Sequence, residues 1–179
     1  ESETFSRQVL EHSPDCVALI DDQGRLQYMN AQGRALLEID DFAMYARRPW
    51  RDLWPEEARA AVEAAVAQAL QGQAARFQAY GPTLHGRAKW WDVIVSPIGP
   101  TSGQNRQLIC VSRDVTERRD MLETLSASEE RFRTMAETAA EGIWLLDDAG
   151  RTQYANSHMA GLLGCSREEL SGRRLLDFC

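Results

Sequence analysis

Residues 16–30 read CVALIDDQGRLQYMN: an apolar run, a turn, and an alternating run that ends on asparagine. Cys16 to Ile20 has the unbroken apolarity of a buried strand, and Asp22, Gln23 and Gly24 are residue types that tolerate positive φ in a tight turn. Arg25 to Met29 alternates as a return strand, and Asn30 stands where it caps a short helix carrying Leu36 and Leu37. The pattern returns 126 residues later. Leu19, Asp21, Asp22, Gly24, Arg25, Gln27, Tyr28, Asn30, Leu36 and Leu37 align with Leu145, Asp147, Asp148, Gly150, Arg151, Gln153, Tyr154, Asn156, Leu162 and Leu163, ten identities in the 25 positions from 16 to 40. Two copies of one supersecondary module, spaced by the length of a small domain, is the simplest reading.

Downstream of the first hairpin, Trp50 to Trp54 lead to a helix expected from about Pro55 to Leu70. Its Ala58, Val62, Ala65, Val66 and Ala69 recur along one face. Gly72 ends that helix, and three strand-like runs follow: Ala74 to Tyr80, Lys89 to Ile98 and Gln107 to Arg113. Turn-rich stretches separate them, Gly81 through Gly86 and Gly99 through Gly103. The first copy therefore reads β-β-α-α-α-β-β-β, an α+β fold with a five-stranded antiparallel sheet covered by helices on one face. The second copy holds only the hairpin and its first helices, through Ser166 to Glu169 and Gly172. Its hairpin exposes an unpaired edge, so this half is expected to be ordered only when docked on the first domain, on a second copy, or by strand exchange.

Beyond the last strand, Asp114 and Glu117 can form a capping box that opens a new helix. Val115, Arg118, Leu122, Leu125, Glu129, Phe132, Ala136, Ala139 and Ile143 follow an unbroken 3-4 alternation, the spacing of a two-stranded seam, with Arg118 and Glu129 breaking its apolarity. A connecting helix packed on its own domain is an equal alternative. Ser126 and Glu129 make a second capping box, at which the helix is free to break and restart.

The chain has 179 residues, 44% hydrophobic and 26% charged, enough for one ordinary domain with residues to spare. It starts without Met and stops at Leu175-Leu176-Asp177-Phe178-Cys179, and reads as a piece of something longer. Twenty basic against 27 acidic residues give a net charge of −7, which disfavours nucleic acid and anionic lipid as partners. The acidic start Glu1-Ser2-Glu3 is unlike a signal peptide, and no apolar run reaches the roughly 18 residues that cross a bilayer, so a cytoplasmic location without membrane contact is expected. Cys16, Cys110, Cys165 and Cys179 are scattered without metal-ligand spacing; neither a metal nor a disulfide framework is indicated. His12, His85 and His158 read as surface residues. Arg47-Arg48 recurs as Arg173-Arg174 at the 126-residue offset, which suggests a shared structural salt bridge.

The order of elements, the Asp-Asp-x-Gly-Arg hairpin with Tyr28 and Asn30, the strand Trp90 to Ile98, and the closing Asp114-Val115-Thr116 together resemble the PAS sensory-domain family. The likeness covers roughly residues 5–117 and again 132–179. It implies a sheet wrapped by helices around a small internal pocket, in a sensory or regulatory input module of a signal-transduction protein. Such modules stand upstream of output domains such as a histidine kinase, as in two-component systems, or a cyclic-di-nucleotide enzyme. The division expected is a PAS domain with an N-terminal flanking helix at 1–117, a signalling helix at 118–138, and the truncated start of a second PAS domain at 139–179. Homodimers through the flanking and linker helices are implied as well. No nucleophile, base and orienting group converge at readable spacing, so no enzymatic activity is expected of this chain.

Trp50, Trp54, Trp90 and Trp91 crowd one region, as an aromatic ligand cavity or as core and interface. Alternation puts Trp91, Val93 and Val95 on one face and Trp90, Asp92 and Ile94 on the other; by the family pattern the Trp91 set points inward. Candidate pocket residues are Trp54, Phe77, Trp91, Val93, Val95, Cys110 and Ser112. Ser112 stands where light-sensing relatives place a polar residue beside their flavin. Transmission is assigned to Asp114, Thr116, Arg118, Leu122 and Leu125. Haem is argued against because Pro55 to Gln71 contains no axial His, and cysteinyl-flavin photochemistry because Arg47 to Trp50 lacks the reactive Cys. A non-covalent flavin, a fatty acid, another small organic ligand or an empty pocket remain, with a ligand-free dimerisation and spacing module as the alternative function.

Overall fold

The computed structural model describes residues 8, 10–99 and 106–178. Glu1 to Glu3, Cys179 and most of the turn at 99–103 lie outside them. Two compact units divide between Arg119 and Asp120.

In the first unit, β1 (Cys16–Ile20) and β2 (Leu26–Met29) form the expected hairpin, closed by Gly24 at φ 72°. Helix α1 (Ala31–Leu37) follows, then 3-10 turns at Phe42–Met44 and Trp50–Leu53, and helix α2 (Glu56–Leu70). Pro55 caps α2, where its missing N–H has no helical partner to lose. Strands β3 (Ala75–Tyr80), β4 (Trp90–Ile98) and β5 (Gln107–Asp114) complete a sheet of order β2-β1-β5-β4-β3, antiparallel at every pairing.

One face of this sheet is the core. Ala58, Val62, Ala65 and Ala69 of α2 pack against the inward residues of the sheet, among them Ala18, Ile20, Trp91, Val93, Val95 and Leu108. Small residues on α2 let the helix approach the sheet closely, which leaves the bulk of the core to be supplied by the tryptophans and the aliphatic strand residues. On the opposite face, Asp15, Arg113, Asp92 and Arg76 form a line of alternating charge, with Arg76 and Asp92 paired at 2.5 Å and Arg113 and Asp15 at 2.9 Å.

Helix α3 (Thr116–Thr138) runs unbroken for 23 residues, so the capping box at Ser126 and Glu129 does not interrupt it. Met121, Leu122, Glu123 and Leu125 before that point and Ala127 after it are good helix formers, and propagation costs less than a new nucleus.

The second unit repeats the first hairpin in register. β6 (Trp144–Leu146) pairs with β7 (Thr152–Ala155) as Trp144↔Ala155, Leu145↔Tyr154 and Leu146↔Thr152, each pair 126 residues beyond Ala18↔Met29, Leu19↔Tyr28 and Ile20↔Leu26. Helices α4 (Ser157–Leu163) and α5 (Arg167–Leu170) follow, and Ala155, Ala160 and Leu170 make a small core. The arginine pairs do not share a role. The first amide of β2 donates to the Arg48 carbonyl and that of β7 to the Arg173 carbonyl, a slip of one residue from the sequence alignment. Among the described residues none of the four arginines is in an ion pair; what recurs is a backbone bridge.

Candidate functional site

Trp91, 2% exposed, stands on β4 with its indole Nε1 donating to the Gly81 carbonyl at 2.7 Å. Trp54 meets Trp50 and Phe77 edge-to-face at 5.8 and 5.7 Å between ring centres. Between these rings remains a cavity of about 20 Å³, lined by Cys16, Leu37, Trp50, Leu53, Trp54, Gly81, Pro82, Trp91 and Ser112. That volume suits one water molecule. Of the candidate pocket residues, Trp54, Trp91 and Ser112 line it. Phe77, Val93, Val95 and Cys110 pack in the same core without lining it. Burial pushes the Cys16 thiol up to about 12, with Asp15 adding to the effect. Cys110 is pushed up likewise by burial and by Cys16. Both thiols are neutral near pH 7 and poor nucleophiles.

At the end of β5 the sheet is wired to α3. The Asp114 carboxylate accepts from the backbone N–H and the hydroxyl of Thr116, at 3.0 and 2.6 Å, and pairs with Lys89. Thr116 Oγ1 accepts in turn from the Trp90 N–H at 2.9 Å, and the Val115 N–H donates to the Trp90 carbonyl at 2.9 Å. Arg119 lies 3.9 Å over the Trp90 ring, a cation–π contact. Burial raises the Asp114 carboxyl, but the hydrogen bonds from Lys89 and Thr116 outweigh it and hold it below its ordinary value. Asp114 and Thr116 thus sit in one network. Arg118, Leu122 and Leu125 are exposed, and Lys89, Trp90 and Arg119 take the places at the junction. The outward alternation of Trp90 was the one sequence signal that pointed there.

A second network extends the cap expected at Asn30, which accepts from the Gly33 N–H. Asn30 is fully buried and uses its whole carboxamide: Nδ2 donates to the carbonyls of Leu10 and Asp15, and Oδ1 accepts from Val17 N and Gly33 N. Asn156 repeats this with Ala136, Glu141, Ile143 and Met159. Beside each stands a glutamate. Glu11 accepts from the Tyr28 hydroxyl at 2.6 Å and the Ala31 N–H at 2.9 Å. Glu137 accepts from the Tyr154 hydroxyl, the Ser157 N–H and hydroxyl, and Arg167. Glu11 and Glu137 are themselves 126 residues apart, just upstream of the repeated stretch that begins at Cys16. The last turn of α3 is therefore tied into the second unit.

The hydrogen bonds of Ser157 and Tyr154 lower the Glu137 carboxyl to about 2 from an ordinary 4.5. A depressed carboxylate stabilises the fold above its unfolded value and loses that contribution as pH falls towards the folded one. The second unit is accordingly expected to weaken between about pH 4.5 and 2, and Glu137→Gln to flatten that part of the profile. Amide exchange of residues 152–163 against pH measures it; an unchanged profile in the variant contradicts it.

Two family models, both described as the PAS fold, match residues 10–120 and 130–179. The chain belongs to the PAS family, whose members are sensory and regulatory modules. No curated protein matches it. Among solved structures, an RNA-binding light-oxygen-voltage receptor is 24% identical over 73% of this chain, with a TM-score of 0.57. This chain spans 38% of that receptor's length. A PAS domain from Colwellia psychrerythraea is 17% identical over 65% of this chain and 99% of its own, with a TM-score of 0.57. A domain of a sensory box sensor histidine kinase/response regulator from Geobacter sulfurreducens is 15% identical over 63% of this chain and 94% of its own, at 0.55. These likenesses carry the fold. Among the described residues no helix is long and apolar enough to cross a membrane.

Proposed function

We propose that the chain is the input and relay segment of a signalling protein with an output domain elsewhere in the same polypeptide, a histidine kinase or cyclic-di-nucleotide enzyme being the type expected. A small apolar ligand is taken up by an opened arrangement of the tryptophan-lined core, and the change passes through Lys89, Trp90, Asp114 and Thr116 into α3. The observation that carries this reading is the junction, where side chains and backbone of the sheet bond directly to the first turn of the helix. A ligand acts only through its different affinity for two arrangements, and the closed core and an opened one are such a pair. The segment has no chemistry of its own in this reading, resides in the cytoplasm, and works as a dimer. For pairing, this reading uses Met121, Leu125, Phe132 and Met135 of α3, exposed by 61, 57, 44 and 64%, Ala136 of the sequence alternation being buried. With Ser128 they follow 4-3 spacing, the pattern of a paired helix.

The closed core of about 20 Å³ supports a second reading, a ligand-free dimerisation and spacing module. Native mass spectrometry and absorbance of the chain as purified separate the two. A dimer that releases a small molecule on denaturation is the expected result, with Leu125→Asp giving monomer. A dimer without any bound mass favours the spacer.

A further inference from the structure

The loop between β3 and β4, Gly81 to Lys89, is held by carboxylates from two other parts of the fold, Glu38 at its middle and Asp114 at its end. Gly81 and Pro82 form one wall of the core cavity, and a Cβ at Gly81 would lie 3.1–3.2 Å from the Trp54 and Trp91 rings. Leu37, the last residue of α1, also lines the cavity, and its carbonyl accepts from the Leu84 N–H at 3.1 Å. Glu38 comes next. Its carboxylate takes the Thr83 hydroxyl at 2.5 Å and the Arg87 guanidinium at 3.1 Å, with His85 at 3.8 Å. Thr83 is buried, and its hydroxyl oxygen accepts from the Arg87 N–H at 2.9 Å. Three loop residues thus converge on one carboxylate, which ties the loop to the end of α1 beside the cavity.

The backbone of Glu38 supports a role beyond packing. It is left-handed, with φ 59° and ψ 44°, a conformation that favours glycine and is strained for glutamate. The equivalent position of the second copy, 126 residues on, is Gly164 at φ 68°. In the first copy the helix ends on a residue poorly suited to that turn, and what it contributes there is the carboxylate. At its other end the loop closes on Lys89, which pairs with Asp114 at the end of β5, two residues before α3.

We propose that Gly81–Lys89 is a lid over the tryptophan-lined core and that Glu38 is its latch. Because Lys89 ends the same loop, lifting the lid also disturbs the Lys89–Asp114 pair, so the gate of the cavity and the relay to α3 are one segment. This rests on the reading of the core as the sensing site. Hydrogen exchange of residues 81–89, together with binding of 5-fluoroindole followed by fluorine NMR, tests both. Glu38→Gly removes the latch while relieving the strained backbone, and Thr83→Val removes one tether while keeping its shape. In Glu38→Gly, exchange across 81–89 is expected to rise at least tenfold with β1 and β5 unchanged, and 5-fluoroindole to bind at least tenfold more tightly; Thr83→Val gives smaller changes in the same direction. Unchanged loop exchange in both variants overturns the latch. Faster loop exchange without tighter 5-fluoroindole binding leaves the latch standing and overturns the core as a sensing site.

Discussion

Trp91→Ala is expected to lower the unfolding free energy of the first unit by about 3–5 kcal/mol, the range for deleting a large buried ring. Trp91 is almost wholly buried, closes the cavity against Gly81 and Trp54, and satisfies the Gly81 carbonyl through its Nε1. Trp91→Phe keeps most of the apolar area and loses that hydrogen bond with part of the ring, so it should cost less, about 1–3 kcal/mol. Urea denaturation followed by circular dichroism measures both. Equal losses for the two variants would mean that the indole-specific features, its hydrogen bond and its second ring, carry what Trp91 contributes, and the remaining packing carries none.

The second large effect is expected at Asn30. Removing its carboxamide leaves the buried N–H groups of Val17 and Gly33 without acceptors, and each such orphan costs about 1–3 kcal/mol. Asn30→Ala should therefore cost about 2–5 kcal/mol in the first unit, part of it the lost cap of α1. Asn30→Asp keeps the acceptors but loses both donors and places a charge at a site with no exposure, so it should be no milder. In the second unit the same change has a different outcome. Its core holds Ala155, Ala160 and Leu170, too little to absorb such a loss, and Asn156→Ala is expected to abolish amide protection across residues 143–163. Retained protection there would show that the hairpin does not depend on the carboxamide.

The fold was legible because its signals are local. Alternation along Arg25 to Met29, the turn at Asp22 to Gly24 and the cap at Asn30 lie within 15 residues, and the 126-residue repeat read them twice. The inward face of β4 was legible for the same reason, since strand alternation places Trp91, Val93 and Val95 together whatever covers them. The site was less so. Glu38 meets Thr83 across 45 residues and Lys89 meets Asp114 across 25, separations at which spacing carries no information. Helical periodicity placed Ala136 on the α3 seam, but only the position of Asn156 shows that this stretch is claimed by the second unit. Glycine at 33 against Cys16, and methionine at 159 against Gly142, show that the two copies exchanged small and large partners at one contact, a trade invisible in a list of identities.

Coupling between the core and α3 is the claim on which the rest depends, and one exchange experiment addresses it directly. Trp54→Ala opens a cavity that indole fills, and amide exchange across residues 116–125 is then measured with and without indole. Indole is expected to slow that exchange in Trp54→Ala, and to leave it unchanged in Trp54→Ala combined with Asp114→Ala, although indole still binds. Indole binding that leaves the exchange of α3 untouched while Asp114 is intact would contradict the relay.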